Sequence, residues 1–319
     1  MILPQMKESE DFRQNLLRCL GGEWPEPCSL DPRLEDSITR EGYRIDKVTY
    51  QVELGERVPA YILVPDGVTA KSPAPAIALW HQHNNNWALG KSEPTGLIGD
   101  PTQFTGVALA REGYVVLCPD ALCFEERQDS ILRGGDFERF VFLRYLMNGK
   151  CLAWKYILDM HRAIDYLCSR PDVNADAIGC YGHSLGSIFT WLIGPWETRL
   201  KCLVGNCALP TYSAIHNTRR LAGFGIFIPG LNQYGDTPDI AALIAPRPLH
   251  LNFGSEDKHS RVIEVRKAME KIEKAYYMCE AEDSFTYFIE ENQGHVLSEQ
   301  MWERAKSKFL KYLPPKGGQ

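Results

Sequence analysis

The stretch Ala177-Ile-Gly-Cys-Tyr-Gly-His-Ser-Leu-Gly-Ser-Ile-Phe-Thr-Trp-Leu-Ile193 joins two kinds of local structure through a short turn. Ala177 to Tyr181 is an apolar run of the length of a buried strand, and Leu185 to Ile193 combines helix formers with large apolar side chains. Between them lies Gly182-His183-Ser184-Leu185-Gly186, a G-x-S-x-G sequence. That pattern, set between a strand and a helix, is the signature of a nucleophile elbow. A serine at the tip of so sharp a turn adopts a strained backbone, so the positions two residues before and after it must be small. Gly182 and Gly186 meet that need, having no Cβ to collide with the strand or the helix. The turn lifts the Ser184 hydroxyl clear of the sheet. It also aims the Leu185 N–H, at the start of a helix, towards any negative charge forming nearby.

Outward from the elbow, strand-like and helix-like segments alternate. Upstream lie strands at Arg44–Leu54 and Val58–Pro65, joined by Gly55-Glu56 as a hairpin, and a third at Ala76–Trp80. A helix over Thr105–Glu112 precedes a continuous apolar strand, Tyr114–Pro119. Cys151–Cys168 reads as a long helix with Leu152, Tyr156, Ile157, Met160, Ile164 and Leu167 on one face. Downstream follow strands at Leu200–Gly205, Leu249–Phe253 and Phe285–Ile289, with helices over Arg261–Tyr277 and Ser298–Leu313. Apolar strands alternating with helices imply an α/β fold: a mostly parallel central sheet with helices on both faces. Ser9–Leu20 reads as a short amphipathic helix, followed by a Pro/Gly-rich connector over Gly21–Pro32. The expected organisation is an N-terminal extension, residues 1–41, packed on one domain over residues 42–319.

Two stretches interrupt the alternation, Cys123–Gly149 and Tyr212–Thr237, both rich in aromatic residues. Insertions of this kind sit above the strand ends, where ligands bind, or serve in packing or contact within a homo-oligomer.

Composition narrows the function. The chain has 319 residues, 44% of them hydrophobic, and a formal net charge of −6. Without a basic run, that charge argues against nucleic acid or an anionic membrane as partner. Apolar runs such as Ala76–Trp80 are far too short to span a bilayer. The N-terminus lacks the basic-then-apolar layout of a signal peptide. The ten cysteines form no C-x-x-C pair, and Cys118, Cys180 and Cys202 sit inside strand-like runs. That pattern reads as reduced thiols of a cytoplasmic protein rather than disulfides or metal ligands.

A serine hydroxyl is a weak nucleophile and needs a base, itself oriented by a third group. Four histidines follow Ser184. His216 lies in the second insertion, His250 within a strand as a packed residue, and His259 before a helix, facing solvent. His295 lies in Asn292-Gln-Gly-His-Val after the last strand and is the candidate base, with Gly294 permitting the bend. The acid belongs just past the preceding strand, where Gly254-Ser-Glu-Asp257 offers two carboxylates. Asp257, at the turn, is preferred over Glu256. A second oxyanion donor is expected from the loop Trp80-His-Gln-His-Asn-Asn-Asn86, through the N–H of Gln82 or His83, with His83 favoured. Its histidines and asparagines suggest a metal site in principle, but no carboxylate or cysteine stands at ligand spacing. Neither metal nor cofactor is called for.

These segments resemble the α/β-hydrolases of the dienelactone hydrolase and acetyl-xylan-esterase-like group. The resemblance rests on Leu79-Trp-His-Gln-His-Asn84, Gly90-Lys-Ser-Glu-Pro-Thr-Gly96 and Arg111-Glu-Gly-Tyr-Val-Val-Leu-Cys-Pro-Asp120. The elbow, Ala245-Pro-Arg-Pro248, Gly254-Ser-Glu-Asp257 and Gly294-His295 complete it. It implies Ser184 as nucleophile, Asp257 as acid, His295 as base, and oxyanion donors at Leu185 and in the His81–His83 loop. Two departures stand out: Gln82 occupies a place where many relatives have glycine, and dienelactone hydrolases proper use cysteine where this chain has Ser184. The expected activity is hydrolysis of small carboxylic esters, including acetylated sugars. A serine peptidase or amidase on the same triad is the alternative, less favoured because prolyl-peptidase relatives carry a large extra domain. A silent binding protein on the scaffold is less favoured because all three triad residues are present.

Overall fold

The computed structural model describes residues 4–221 and 223–315. Helix α1 (Pro4–Leu20) begins earlier than its apolar spacing suggested and buries Leu16 and Leu20 completely. The connector after it is held by reciprocal bonds, Trp24 Nε1 to the Trp154 carbonyl and Trp154 Nε1 to the Gly22 carbonyl, both 2.9 Å.

Strand β1 (Arg33–Arg40), β2 (Tyr43–Glu53) and β3 (Glu56–Pro65) then form an antiparallel meander. Residues 33–40 were expected within the extension, not in the sheet. Their sequence, Arg-Leu-Glu-Asp-Ser-Ile-Thr-Arg, has no apolar alternation because this is an edge strand exposed along nearly its whole length. Charge on such an edge discourages pairing with another chain.

The remaining elements follow in chain order, with helices that were not expected in or beside the two insertions: β4 (Ala74–Trp80), α2 (Thr105–Arg111), β5 (Val115–Pro119), α3 (Gly134–Met147), α4 (Leu152–Ser169), β6 (Val173–His183) and α5 (Leu185–Ile193). After them come β7 (Leu200–Asn206), α6 (Tyr212–Thr218), α7 (Thr237–Ala242), β8 (Leu249–Gly254), α8 (Val262–Met278), β9 (Phe285–Glu290) and α9 (Glu299–Tyr312). The nine-stranded sheet runs in the order β1-β2-β3-β5-β4-β6-β7-β8-β9. Only the β1–β2–β3–β5 side pairs antiparallel, and from β5 to β9 every pairing is parallel. Strands β4, β5 and β8 are buried at every residue, as expected of parallel strands with helices on both faces. The carboxyl ends of β4, β6, β7 and β8 therefore open on one rim, the usual place for a ligand on such a sheet.

Both insertions contain helices, α3 in the first and α6 in the second, and they pack against each other. Phe142 on α3 stacks on Phe224, with ring centroids 4.9 Å apart, and meets Phe227 edge-on. The root of the first insertion is tied down by charge. Arg127 Nη1 bonds Asp159 at 2.6 Å and Nη2 bonds Glu56 at 2.6 Å, while fully buried Lys155 reaches Glu53, Glu56 and Asp159. Losing one partner of such a buried group would leave the other uncompensated, so this network fixes the insertion to β3 and α4.

Candidate active site

The site grows from the end of β6. Ser184 has φ 57° and ψ −113°, left-handed territory that a non-glycine residue occupies only when its surroundings force it. The surroundings do so. A Cβ on Gly182 would lie 2.1 Å from the Gly186 carbonyl carbon, and a Cβ on Gly186 would lie 2.0 Å from the Trp80 carbonyl oxygen. Both glycines are thus required by backbone contacts, with no flexible side chain to yield. Gly186→Ala is expected to push α5 off β4 at a cost of about 3 kcal/mol or more. Differential scanning calorimetry would register it as a fall in Tm, and an unshifted Tm would remove this account of the motif.

The Ser184 N–H donates to the Asn206 carbonyl at the end of β7, at 2.8 Å. The Ser184 hydroxyl lies 2.8 Å from His295 Nε2, and His295 Nδ1 lies 2.8 Å from Asp257 Oδ2. The structure thus joins the three residues named from sequence in one hydrogen-bonded chain. Because a carboxylate only accepts, the His295 proton sits on Nδ1 and leaves Nε2 free to accept from the serine. The other Asp257 oxygen accepts the N–H groups of His259, at 2.7 Å, and Ser260, at 3.4 Å. Burial works to raise the Asp257 carboxyl, but the His295 hydrogen bond and charge, with these two amides, hold it below the usual carboxylate range. Glu256 is exposed, and its backbone N–H donates to the Gln293 carbonyl at 2.8 Å.

The glycine that the histidine loop requires is not the one expected. A Cβ on Gly294 would meet nothing within 4 Å, whereas a Cβ on Gly254 would lie 2.3 Å from the carbonyl oxygens of both Gln293 and Gly294. Gly254 lets the end of β8 lie directly against the histidine loop, and that approach sets the spacing between Asp257 and His295. The turn itself passes through Asn292, at φ 60°.

His250 is buried between Thr286 and Asn252, as expected of a packed residue. His259 is exposed but does more than face water. Its ring lies 4.6 Å from that of His295, and Arg220 Nη2 approaches its Nε2 at 3.1 Å. His183 is buried, and burial first, then the neighbouring His295, pushes it down to about 3, so it stays neutral beside His295. Its Nδ1 accepts from Asn206 Nδ2 at 2.7 Å, and that amide also donates to the Val296 carbonyl beside His295.

The loop after β4 is fixed by its side chains. His81, pushed by burial down to about 4, is neutral; its Nδ1 donates to the Gln82 carbonyl and its Nε2 accepts the Ala121 N–H. Gln82 Nε2 donates to Glu93 at 2.8 Å. His83 Nε2 and Trp87 Nε1 both donate to Oε2 of Glu138, a buried residue on α3, at 3.1 and 2.9 Å, while His83 Nδ1 accepts the Asn85 N–H. Among the described residues, the backbone N–H groups of Gln82 and His83 meet no protein acceptor. The Leu185 N–H opens α5 with no capping side chain. Glu138 is 55 residues from His83 in the chain, and nothing in the spacing pointed to it.

Among the described residues, two groups bring ligand atoms within 4.8 Å of one another: Cys207, Asp257 and His295, and Asp120, Glu125 and Glu126. Each is already engaged. Asp257 and His295 bond each other, and Cys207 Sγ donates to the Val296 carbonyl at 3.1 Å. The Lys91 ammonium lies among the three carboxylates, at 2.9, 2.7 and 2.5 Å. Among the described residues, no helix is long and apolar enough to cross a membrane.

A mostly parallel sheet with a strained serine between β6 and α5 defines an α/β-hydrolase. The sequence profile of the Abhydrolase family matches residues 26–306, and the chain belongs to that family. It is 31% identical over 269 residues to the Bacillus subtilis (strain 168) protein YtaP, a provisionally assigned hydrolase, covering 82% of this chain and 84% of YtaP. Among solved structures, a provisionally assigned acetyl xylan esterase of Bacteroides fragilis superposes with a TM-score of 0.71 at 19% identity, over 88% of this chain and 74% of that one. A glucuronoyl esterase of Solibacter usitatus superposes with a TM-score of 0.69 at 15% identity, over 97% and 92%.

Proposed function

We propose that the protein is a serine esterase that cleaves carboxylic esters through an acyl-enzyme intermediate. The observation that carries this reading is the unbroken chain from Asp257 through His295 to Ser184, set on a strained elbow. Ser184 attacks the ester carbonyl while His295 Nε2 takes its proton, and the same proton then goes to the leaving alcohol. His295 next activates water, which releases the acid and restores Ser184. Asp257 holds the imidazole tautomer and stabilises the imidazolium without accepting the proton.

The oxyanion is held by the N–H groups of Leu185 and His83, with the unpartnered N–H of Gln82 adjacent. The half-buried His83–Glu138 bond keeps this loop in place as charge develops, so little reorganisation accompanies the reaction. No step draws on a metal or cofactor. The name of the acetyl xylan esterase that shares the fold supports small acyl esters and acetylated sugars as the substrate class, and that of the glucuronoyl esterase supports carboxylic esters more broadly. Ten free cysteines, six of them buried, support a reducing, cytoplasmic setting.

The test is a direct comparison of p-nitrophenyl acetate with an aminoacyl p-nitroanilide. The ester is expected to turn over with saturation kinetics and the anilide not measurably. The reverse order would make the protein an amidase.

A further inference from the structure

Beside the acid-bearing turn, a cavity of about 640 Å³ is walled by Ser255 to Lys258, Arg261 to Ile263, and Thr218 to Arg220. Four of its residues are cations: Arg219, Arg220, Lys258 and Arg261. None of the four pairs with a carboxylate among the described residues. Nearby on α8 the pattern is the ordinary one, Arg266 pairing with Glu291 and Lys267 with Glu264. Of the two carboxylates on the wall, Asp257 is committed to His295 and Glu256 stands alone against four cations. A chain with net charge −6 therefore gathers unpaired positive charge at one place, next to the proposed catalytic base.

Contacts connect this rim to the reaction. Arg220 has only donors, so its 3.1 Å approach makes His259 Nε2 the acceptor, and His259 is neutral in that arrangement. Burial, the neighbouring His295 and Arg220 all push the His259 imidazole down, in agreement. The His259 ring lies 4.6 Å from His295, so the guanidinium is one ring removed from the base. His295 must deliver its proton to the leaving oxygen, so the part of the substrate nearest these two rings is the alcohol.

Resting on the esterase reading, we infer that the preferred substrate carries a carboxylate on its alcohol portion, received by Arg220 and Arg261 on the rim of this cavity. Guanidinium groups suit that partner, because their paired N–H donors match the two carboxylate oxygens. The other cations raise the local concentration of the anion before it docks.

The experiment compares 3-acetoxybenzoate with neutral 3-acetoxybenzamide, each kcat/KM divided by that ester's rate with hydroxide. At low ionic strength the wild-type protein is expected to favour the anionic ester about ten-fold, a preference that shrinks as salt approaches roughly 1 M. In Arg220→Gln/Arg261→Gln the ratio should fall to within about two-fold of one, through a higher KM for the anionic ester. Lys258→Glu, a separate surface change, should lower the same ratio if the double variant folds poorly. A wild-type ratio near one, with both esters cleaved, overturns the inference and leaves the esterase reading standing. So does a preference that survives these substitutions and high salt. Failure to cleave either ester overturns the esterase reading itself, and the inference falls with it.

Discussion

Ser184→Ala is expected to lower kcat for p-nitrophenyl acetate by a factor on the order of 10⁴ to 10⁶. The hydroxyl is the only group that the elbow presents to His295 Nε2, at 2.8 Å, and alanine has nothing to donate there. The fold should be indifferent to the change. The strain at φ 57° belongs to the backbone, the Ser184 N–H keeps its bond to the Asn206 carbonyl, and both required glycines are untouched. Residual rate would come from the oxyanion donors and from binding alone. A folded variant with more than a few per cent of wild-type turnover would place the nucleophile elsewhere.

Asp257→Asn should reduce kcat by about 10⁴, although it changes hardly any volume. One Asp257 oxygen accepts the N–H groups of His259 and Ser260, so the asparagine carbonyl must take that side. Its NH₂ group then faces His295 Nδ1 as a donor. The imidazole is forced to carry its proton on Nε2, where it can no longer accept one from Ser184. Glu256→Gln serves as the contrast: the side chain is exposed, and its backbone bond to Gln293 does not depend on the carboxylate. It should alter kcat by less than about three-fold, as surface changes away from the machinery do. Equal losses in the two variants, or a larger one in Glu256→Gln, would move the acid.

Much of this was legible in the sequence because it is local. The strand-turn-helix about Ser184, the apolar parallel strands and the turn bearing Asp257 all depend on residues within a few positions of one another. β1 was missed for a physical reason: an exposed edge strand carries no burial pattern to read. The helix α3 was hidden because apolar residues lie on every side of it. The structure buries Val141 but leaves Phe140, Leu143 and Met147 exposed, so no single stripe stands out. Non-local demands were invisible. Gly254 is required by a chain segment some forty residues away, while Gly294, adjacent to the histidine, attracted the role. The Glu138–His83 bond and the approach of Arg220 to His259 both come from the insertions, whose sequence shows their aromatic content but not where they dock.

The central claim is a covalent one, that the acyl group passes through Ser184. Rapid mixing with p-nitrophenyl acetate, an acid quench and peptide mass spectrometry test it most directly. The account predicts one acetyl group per chain in the pre-steady state, on the peptide containing Ser184, and none on the Ser184→Ala protein. An acetyl group on another residue, or turnover by the wild-type protein with no acetylated species on the timescale of its burst, would contradict it.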